Sequence, residues 1–199
     1  MPALKYKVIG LTGGIGSGKT FVSNIFIKLG IPVFNADQEA KNIMHKSLDL
    51  KKKIEKAFGH EVYQNHQIQK KVLSKLVFNN KNKLELLNSL VHPYVLDRFN
   101  EWCLNNKSSI VIKESAILFE SNTYKGCDKI ICVNASEKNR ISRVIKRDNV
   151  KKNHVQSIMN SQMNQAQKIK KSDFIINNND ADLILPQVIS IINSIKSIN

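Results

Sequence analysis

Two rhythms of apolar and polar positions run along this chain. Val8-Ile9-Gly10-Leu11-Thr12 is a short apolar run ending in glycines, the pattern of a strand buried on both faces of a parallel sheet. From Lys19 to Leu29 the rhythm changes. Val22, Ile25, Phe26 and Leu29 share one face at three- and four-residue spacing, which predicts a helix stopped by Gly30. Ile31-Pro32-Val33-Phe34 predicts a second strand, ending at Asn35-Ala36-Asp37. Residues 38–107 then show helical periodicity and no convincing strand; Leu73, Leu76, Val77, Leu84, Leu87, Leu90 and Val91 carry it. Ser109–Lys113 predicts a third strand and Lys129–Val133 a fourth, followed by an arginine-rich helix over Glu137–Lys146. After a polar stretch, Phe174-Ile175-Ile176 predicts a short final strand and Leu183–Ile198 a closing amphipathic helix.

Strands alternating with helices imply an α/β fold with a five-stranded parallel sheet between two helical layers. The crossover from the second strand to the third far exceeds the ~10–12 residues a crossover needs, so 38–107 is expected to form a helical subdomain inserted into a core built from 1–37 and 108–199. Ligands of open α/β sheets bind at the carboxyl ends of the strands. The residues just after each strand are therefore the first to examine.

Composition narrows the classes. With 199 residues, 42% apolar and 24% charged, the chain resembles an ordinary globule. No apolar run approaches the ~20 residues of a membrane span, and the opening residues lack a signal-peptide pattern. The expectation is a cytoplasmic protein with no membrane partner. Cys103, Cys127 and Cys132 are odd in number and widely spaced, and read as small apolar residues rather than a disulfide framework or a metal knuckle. The net charge of +15 suggests affinity for a polyanion, but lysine supplies nearly all of it, as expected when an AT-rich genome sets surface composition. Only four arginines occur, three of them (Arg140, Arg143 and Arg147) within eight residues.

The strongest chemical signal is Gly13-Gly14-Ile15-Gly16-Ser17-Gly18-Lys19-Thr20. It satisfies G-x-x-x-x-G-K-[ST] in full, between a predicted strand and a predicted helix. Glycines let the backbone wrap a phosphate, and the helix N-terminus adds partial positive charge. Lys19 is expected to reach the β- and γ-phosphates of ATP, with the Thr20 hydroxyl on Mg²⁺. No N-K-x-D guanine-reading motif follows the fourth strand, which reads Asn134-Ala135-Ser136-Glu137. Asp37, just past the second strand, suits a base that accepts or orients an acceptor hydroxyl, or else a helix N-cap. Glu114, ending the third strand, suits an acid holding the metal's water shell, or else a solvated strand-end carboxylate.

Several further motifs make the chain resemble the dephospho-coenzyme A kinase family. Leu11 through Lys19 is similar to the family's opening signature, Asn35-Ala36-Asp37 to its Asp-Ala-Asp, and Leu90-Val91-His92-Pro93 to its Leu-x-His-Pro. Glu114-Ser115-Ala116-Ile117-Leu118-Phe119-Glu120 is similar to Asp-x-Pro-Leu-Leu-Phe-Glu. Arg143, Arg147-Asp148, Gln162 and Ser172 through Asn178 follow at family-like spacing. The resemblance implies a single P-loop kinase domain that phosphorylates the ribose 3′-hydroxyl of dephospho-CoA with ATP and Mg²⁺, as a monomer or small homo-oligomer. It implies Asp37 as base and Lys19, Arg143 and Arg147 as the other catalytic residues. Gly13 through Thr20, Phe21 and Asn177 would line the nucleotide, and Thr20 and Glu114 the metal. Residues 38–107 would hold the acceptor and 138–170 a lid.

The departures are Asn35, Glu114 and Asn177, each standing where an aspartate is common. Asn35 is given no catalytic role, and His92 before Pro93 reads as structural at a helix junction. Among the arginines, Arg140 fits the family least and reads most simply as part of a solvated helix face. Rival functions are another P-loop kinase acting on a nucleoside or nucleotide, a nucleic-acid-binding ATPase, and a nucleotide-binding regulator without turnover. The second is disfavoured by 7% aromatic residues and dispersed basic ones, so no specific nucleic-acid partner is expected.

Overall fold

A computed structural model describes residues 6–65, 67–77 and 80–197. They form two compact units, one of residues 1–34 and 106–199, the other of 35–105. In the first, β1 (Lys7–Thr12), β5 (Ile110–Glu114), β6 (Lys129–Asn134) and β7 (Phe174–Asn177) belong to a five-stranded sheet completed by β2 (Val33–Asn35). The order is β2-β5-β1-β6-β7, and β1 runs parallel to β5 and β6, as does β6 to β7. This is the α/β class expected from the alternation of strands and helices. β1 sits centrally because both its faces are apolar; Ile9 and Leu11 are completely buried.

Helix α1 (Lys19–Lys28) and the closing α9 (Ile184–Ser197) cover one face of the sheet. Val22 and Phe26 of α1 and Val188, Ile191 and Ile195 of α9 join Ile9, Leu11, Ile112, Ile131 and Val133 in one core. Each side chain so buried contributes about 1.5–3 kcal/mol. The last residues expected in the closing helix, including Ile198, lie outside the described residues. The stretch read as polar after the arginine-rich helix α6 (Glu137–Asp148) holds two more helices, α7 (Lys152–Ser161) and α8 (Gln165–Lys170). Their apolar faces are too short for periodicity to reveal. Val155 alone is fully buried from α7, and α8 is anchored by a buried lysine.

The 35–105 unit contains α2 (Ala36–Lys46), α3 (Leu48–Phe58), α4 (Lys70–Val77) and α5 (Lys81–Leu104). It also contains strands absent from the sequence reading, the antiparallel pair β3 (Tyr63–Gln64) and β4 (Gln67–Ile68). Two residues per strand is too short for alternation to register; Asn65, with φ of 48°, supplies the left-handed turn position. His92-Pro93 is not at a helix junction. Pro93 lies inside α5, which continues through it. The missing N–H is outweighed by a face of Val91, Val95, Phe99 and Cys103 buried at four-residue spacing.

Candidate active site at the phosphate loop

The loop from Gly13 to Gly18 joins β1 to α1. Gly13, Gly16 and Gly18 have φ of 148°, 78° and 94°, values that L-side chains rarely adopt. Space is equally restrictive: a Cβ on Gly13 would fall 2.5 Å from the Val133 carbonyl oxygen, and one on Gly18 2.0 Å from Asn178 Nδ2. Ser17 N–H donates to the Gly14 carbonyl at 3.1 Å, closing a turn within the loop. The Ser17 side chain is buried, with no hydrogen-bond partner for its hydroxyl among the described residues. Lys19, half-buried, donates from Nζ across the loop to the Gly13 carbonyl at 2.9 Å. Thr20 is exposed on the first turn of α1, and Phe21 beside it is 57% exposed. Among the described residues, the amides of Gly16, Gly18 and Thr20 make no hydrogen bond. They leave donors at a helix N-terminus, the arrangement that receives phosphate oxygens.

The outer side of the loop is held by residues that the motif does not include. Gly14 N–H donates to Gln165 Oε1 at 3.0 Å and Ile15 N–H to Gln162 Oε1 at 2.9 Å. Arg140 Nε donates to the Ile15 carbonyl at 3.0 Å, and Asn178 Nδ2 to the Ser17 carbonyl at 2.8 Å. Arg140 is only 6% exposed, so it does not lie on a solvated helix face. The first turn of α6 turns it inward, and its own backbone lies so close to Gly16 that a Cβ there would be 2.4 Å from its carbonyl oxygen. Burial pulls the Arg140 pKa below the ordinary arginine value. Gln165 went unnoticed in the sequence, where nothing marks it. Asn178 was noted only as the end of a family-like stretch just past a strand and was given no role.

The other arginines are engaged elsewhere. Arg143 donates from Nη1 to the Asn178 carbonyl at 2.9 Å and pairs with Asp180 at 3.3 Å. Arg147 is exposed and makes two bonds to the neighbouring Asp148 carboxylate, at 2.7 and 2.8 Å. Asn177 Oδ1 accepts from Asn134 Nδ2 at 2.9 Å, tying the ends of β7 and β6 together. Glu114, opposite Leu11 in the sheet register, is 3% exposed, so it is not a solvated strand-end acid. Burial pushes the Cys132 thiol up to about 11, in keeping with an apolar packing role.

In the 35–105 unit, Asp37 is half-buried in the first turn of α2. It is not the cap of that helix. Asn35 is, its Oδ1 accepting from the Gln38 N–H at 2.7 Å. The family aspartate replaced by Asn35 is thus occupied by a residue with a local backbone task.

Comparison with known proteins points to one family. The dephospho-CoA kinase family model matches residues 7–183. The chain is 38% identical to a dephospho-CoA kinase of Fusobacterium nucleatum, over 86% of this chain and 89% of that one. It is 35% identical to a dephospho-CoA kinase of Porphyromonas gingivalis, over 95% and 94%. The solved structure of dephospho-CoA kinase from Campylobacter jejuni superposes with a TM-score of 0.66 at 27% identity, covering 94% of this chain and 96% of that one. With the P-loop described above, these likenesses lead to one conclusion: the chain belongs to the dephospho-CoA kinase family of ATP-dependent phosphotransferases.

Proposed function

We propose that the protein transfers the γ-phosphate of ATP to the ribose 3′-hydroxyl of 3′-dephospho-CoA, giving CoA and ADP, in the cytoplasm. The observation that carries this reading is a complete P-loop whose Gly16, Gly18 and Thr20 amides make no hydrogen bond among the described residues, within a family match that spans 7–183. In this reading Lys19 exchanges the Gly13 carbonyl for a β- or γ-phosphate oxygen, and the free loop amides hold the β-phosphate. Phosphoryl transfer leaves the protein little covalent chemistry, so positioning and charge stabilisation dominate. Arg143, anchored on the loop after β7, supplies fixed positive charge to the migrating phosphoryl group. Arg147 joins it by leaving Asp148 for the more highly charged phosphates. Asp37 accepts the proton of the acceptor hydroxyl, or aims that hydroxyl for in-line attack.

A magnesium ion bound here would neutralise part of the charge on the phosphates. The exposed Thr20 hydroxyl and the buried Glu114 carboxylate, both hard oxygen donors, would be the residues to hold it. Phe21 and Asn177 flank the nucleotide. The helical 35–105 unit holds the acceptor, and 138–170 serves as a lid over the phosphates. Among the described residues no helix is long and apolar enough to cross a membrane.

Steady-state assays with dephospho-CoA, AMP and adenosine at matched Mg²⁺ test the acceptor. Binding energy from the pyrophosphate and pantetheine arm is used to orient the reacting hydroxyl, so truncation lowers kcat as well as raising KM. AMP and adenosine are expected to react at least ~10³-fold less efficiently, about 4 kcal/mol in transition-state terms. Comparable kcat/KM for AMP would place the protein among nucleotide kinases and refute the proposed acceptor.

A further inference from the structure

The hydrogen bonds around the phosphate loop fall into two sets. Its first limb, Gly13 to Gly16, is tied peptide by peptide to side chains, three from outside the motif and one, Lys19, from within it. Gln165 holds the N–H of the Gly13–Gly14 peptide, and Lys19 its carbonyl. Gln162 holds the N–H of the next peptide. Arg140 holds the carbonyl of the one after that. The second limb, from Gly16 to the start of α1, keeps donors free at the helix N-terminus.

The braces are themselves anchored. Gln165 donates from Nε2 to the Val133 carbonyl at 3.0 Å, at the end of β6. Next to Gln162, Met163 N–H donates to Glu120 Oε1 at 2.7 Å. Glu120 also pairs at 2.8 Å with the fully buried Lys168 of α8, whose Nζ donates to the Ala116 carbonyl at 2.6 Å. The two glutamines therefore sit on a segment pinned near both ends to the loop after β5, with Gln165 itself bonded to the end of β6.

We propose that Arg140, Gln162 and Gln165 are positioning residues for nucleotide binding, holding the first limb of the loop so that the second presents its amides ready-aimed at the polyphosphate. The inference rests on the loop being the ATP site, as argued above. A glycine-rich loop without such ties samples many conformations, and anion binding must then order it. Side chains that fix its peptide planes beforehand remove that cost. The glutamine oxygens bond the limb remote from the helix N-terminus, so they support the phosphate site without occupying it.

Methionine in place of glutamine keeps most of the shape and removes both the acceptor and the donor. Isothermal titration of MgADP, paired with steady-state kinetics, reads the effect. For Gln165→Met, which loses a bond on each side, the ADP Kd and the KM for ATP are expected to rise together by about tenfold. For Gln162→Met, with one bond lost, a rise of about threefold is expected. The KM for dephospho-CoA should stay within twofold in both variants.

Tighter ADP binding in either variant would overturn the proposal, because the glutamines would then be competing with phosphate for the loop. A lowered melting temperature with unchanged ADP affinity would overturn it too, leaving only a structural role. If Gln165→Met does not fold, Gln162→Met decides, since its side chain makes no second hydrogen bond among the described residues. A parent protein that binds no MgADP refutes the ATP site and the brace together. A wrong acceptor refutes the proposed function and leaves the brace standing.

Discussion

The two units of this chain are held together by different means. In the unit of residues 1–34 and 106–199, a buried parallel sheet supports a loop whose peptides are fixed one by one by distant side chains. In the 35–105 unit, helices pack through apolar faces: Leu50 and Ile54 are fully buried on α3, and Val91, Val95 and Phe99 are buried on α5. Its polar contacts are largely exposed, such as the Lys53–Asp49 pair and the Arg98–Glu101 pair. Exposed pairs of this kind are screened and contribute little. The first unit uses directional bonds where a phosphate must be met at fixed distances. The second relies on non-directional packing of apolar side chains.

The sharpest way to break this contrast is at Lys19. Lys19→Ala removes the main fixed charge at the transferring phosphate and is expected to cut turnover at least ~10³-fold. Turnover within tenfold of the parent in a coupled ADP-release assay would remove the first unit's claim to the chemistry.

Asp37→Asn carries the comparison into the second unit. It is expected to lower kcat by roughly 10²–10⁴-fold with ATP affinity nearly unchanged, because the proton-accepting group is lost while the loop is intact. Calorimetry showing lost ATP binding would instead make Asp37 a nucleotide or metal residue.

A smaller effect is expected from packing alone. Ile54→Ala opens a cavity among fully buried side chains and should cost about 2–5 kcal/mol of stability, read from the urea midpoint. At temperatures where the variant stays folded, MgADP should bind as it does to the parent. A changed ADP affinity would show that the second unit's core reaches into the nucleotide site.

Legibility in the sequence follows the same division. The strands of the first unit were readable because burial on both faces leaves almost no polar residue, as in Val8–Leu11 and Ile110–Ile112. Helix α1 was readable because its stripe and Gly30 agree. The β3–β4 hairpin was not, because two-residue strands carry no period. The helices α7 and α8 were missed because single anchors, Val155 and Lys168, do work that a long apolar face does elsewhere.

At the proposed site, the G-x-x-x-x-G-K-[ST] motif by itself determined where the phosphate loop forms. The conformations it needs are local: left-handed glycines, a helix N-terminus and a lysine one turn away can all be specified by consecutive residues. Which arginine lies against the loop could only be decided in three dimensions. Arg140, Arg143 and Arg147 are spaced at three and four along one helix and look alike in sequence, yet one is buried on Ile15, one bonds Asn178 and one pairs with its neighbour. Their environments are set by strands and loops up to 125 residues away. The same holds for Gln162 and Gln165, which only the packing of α7 and α8 against the sheet brings to the loop. Local geometry is written in neighbouring residues, whereas the partner of a long polar side chain depends on the whole path of the chain.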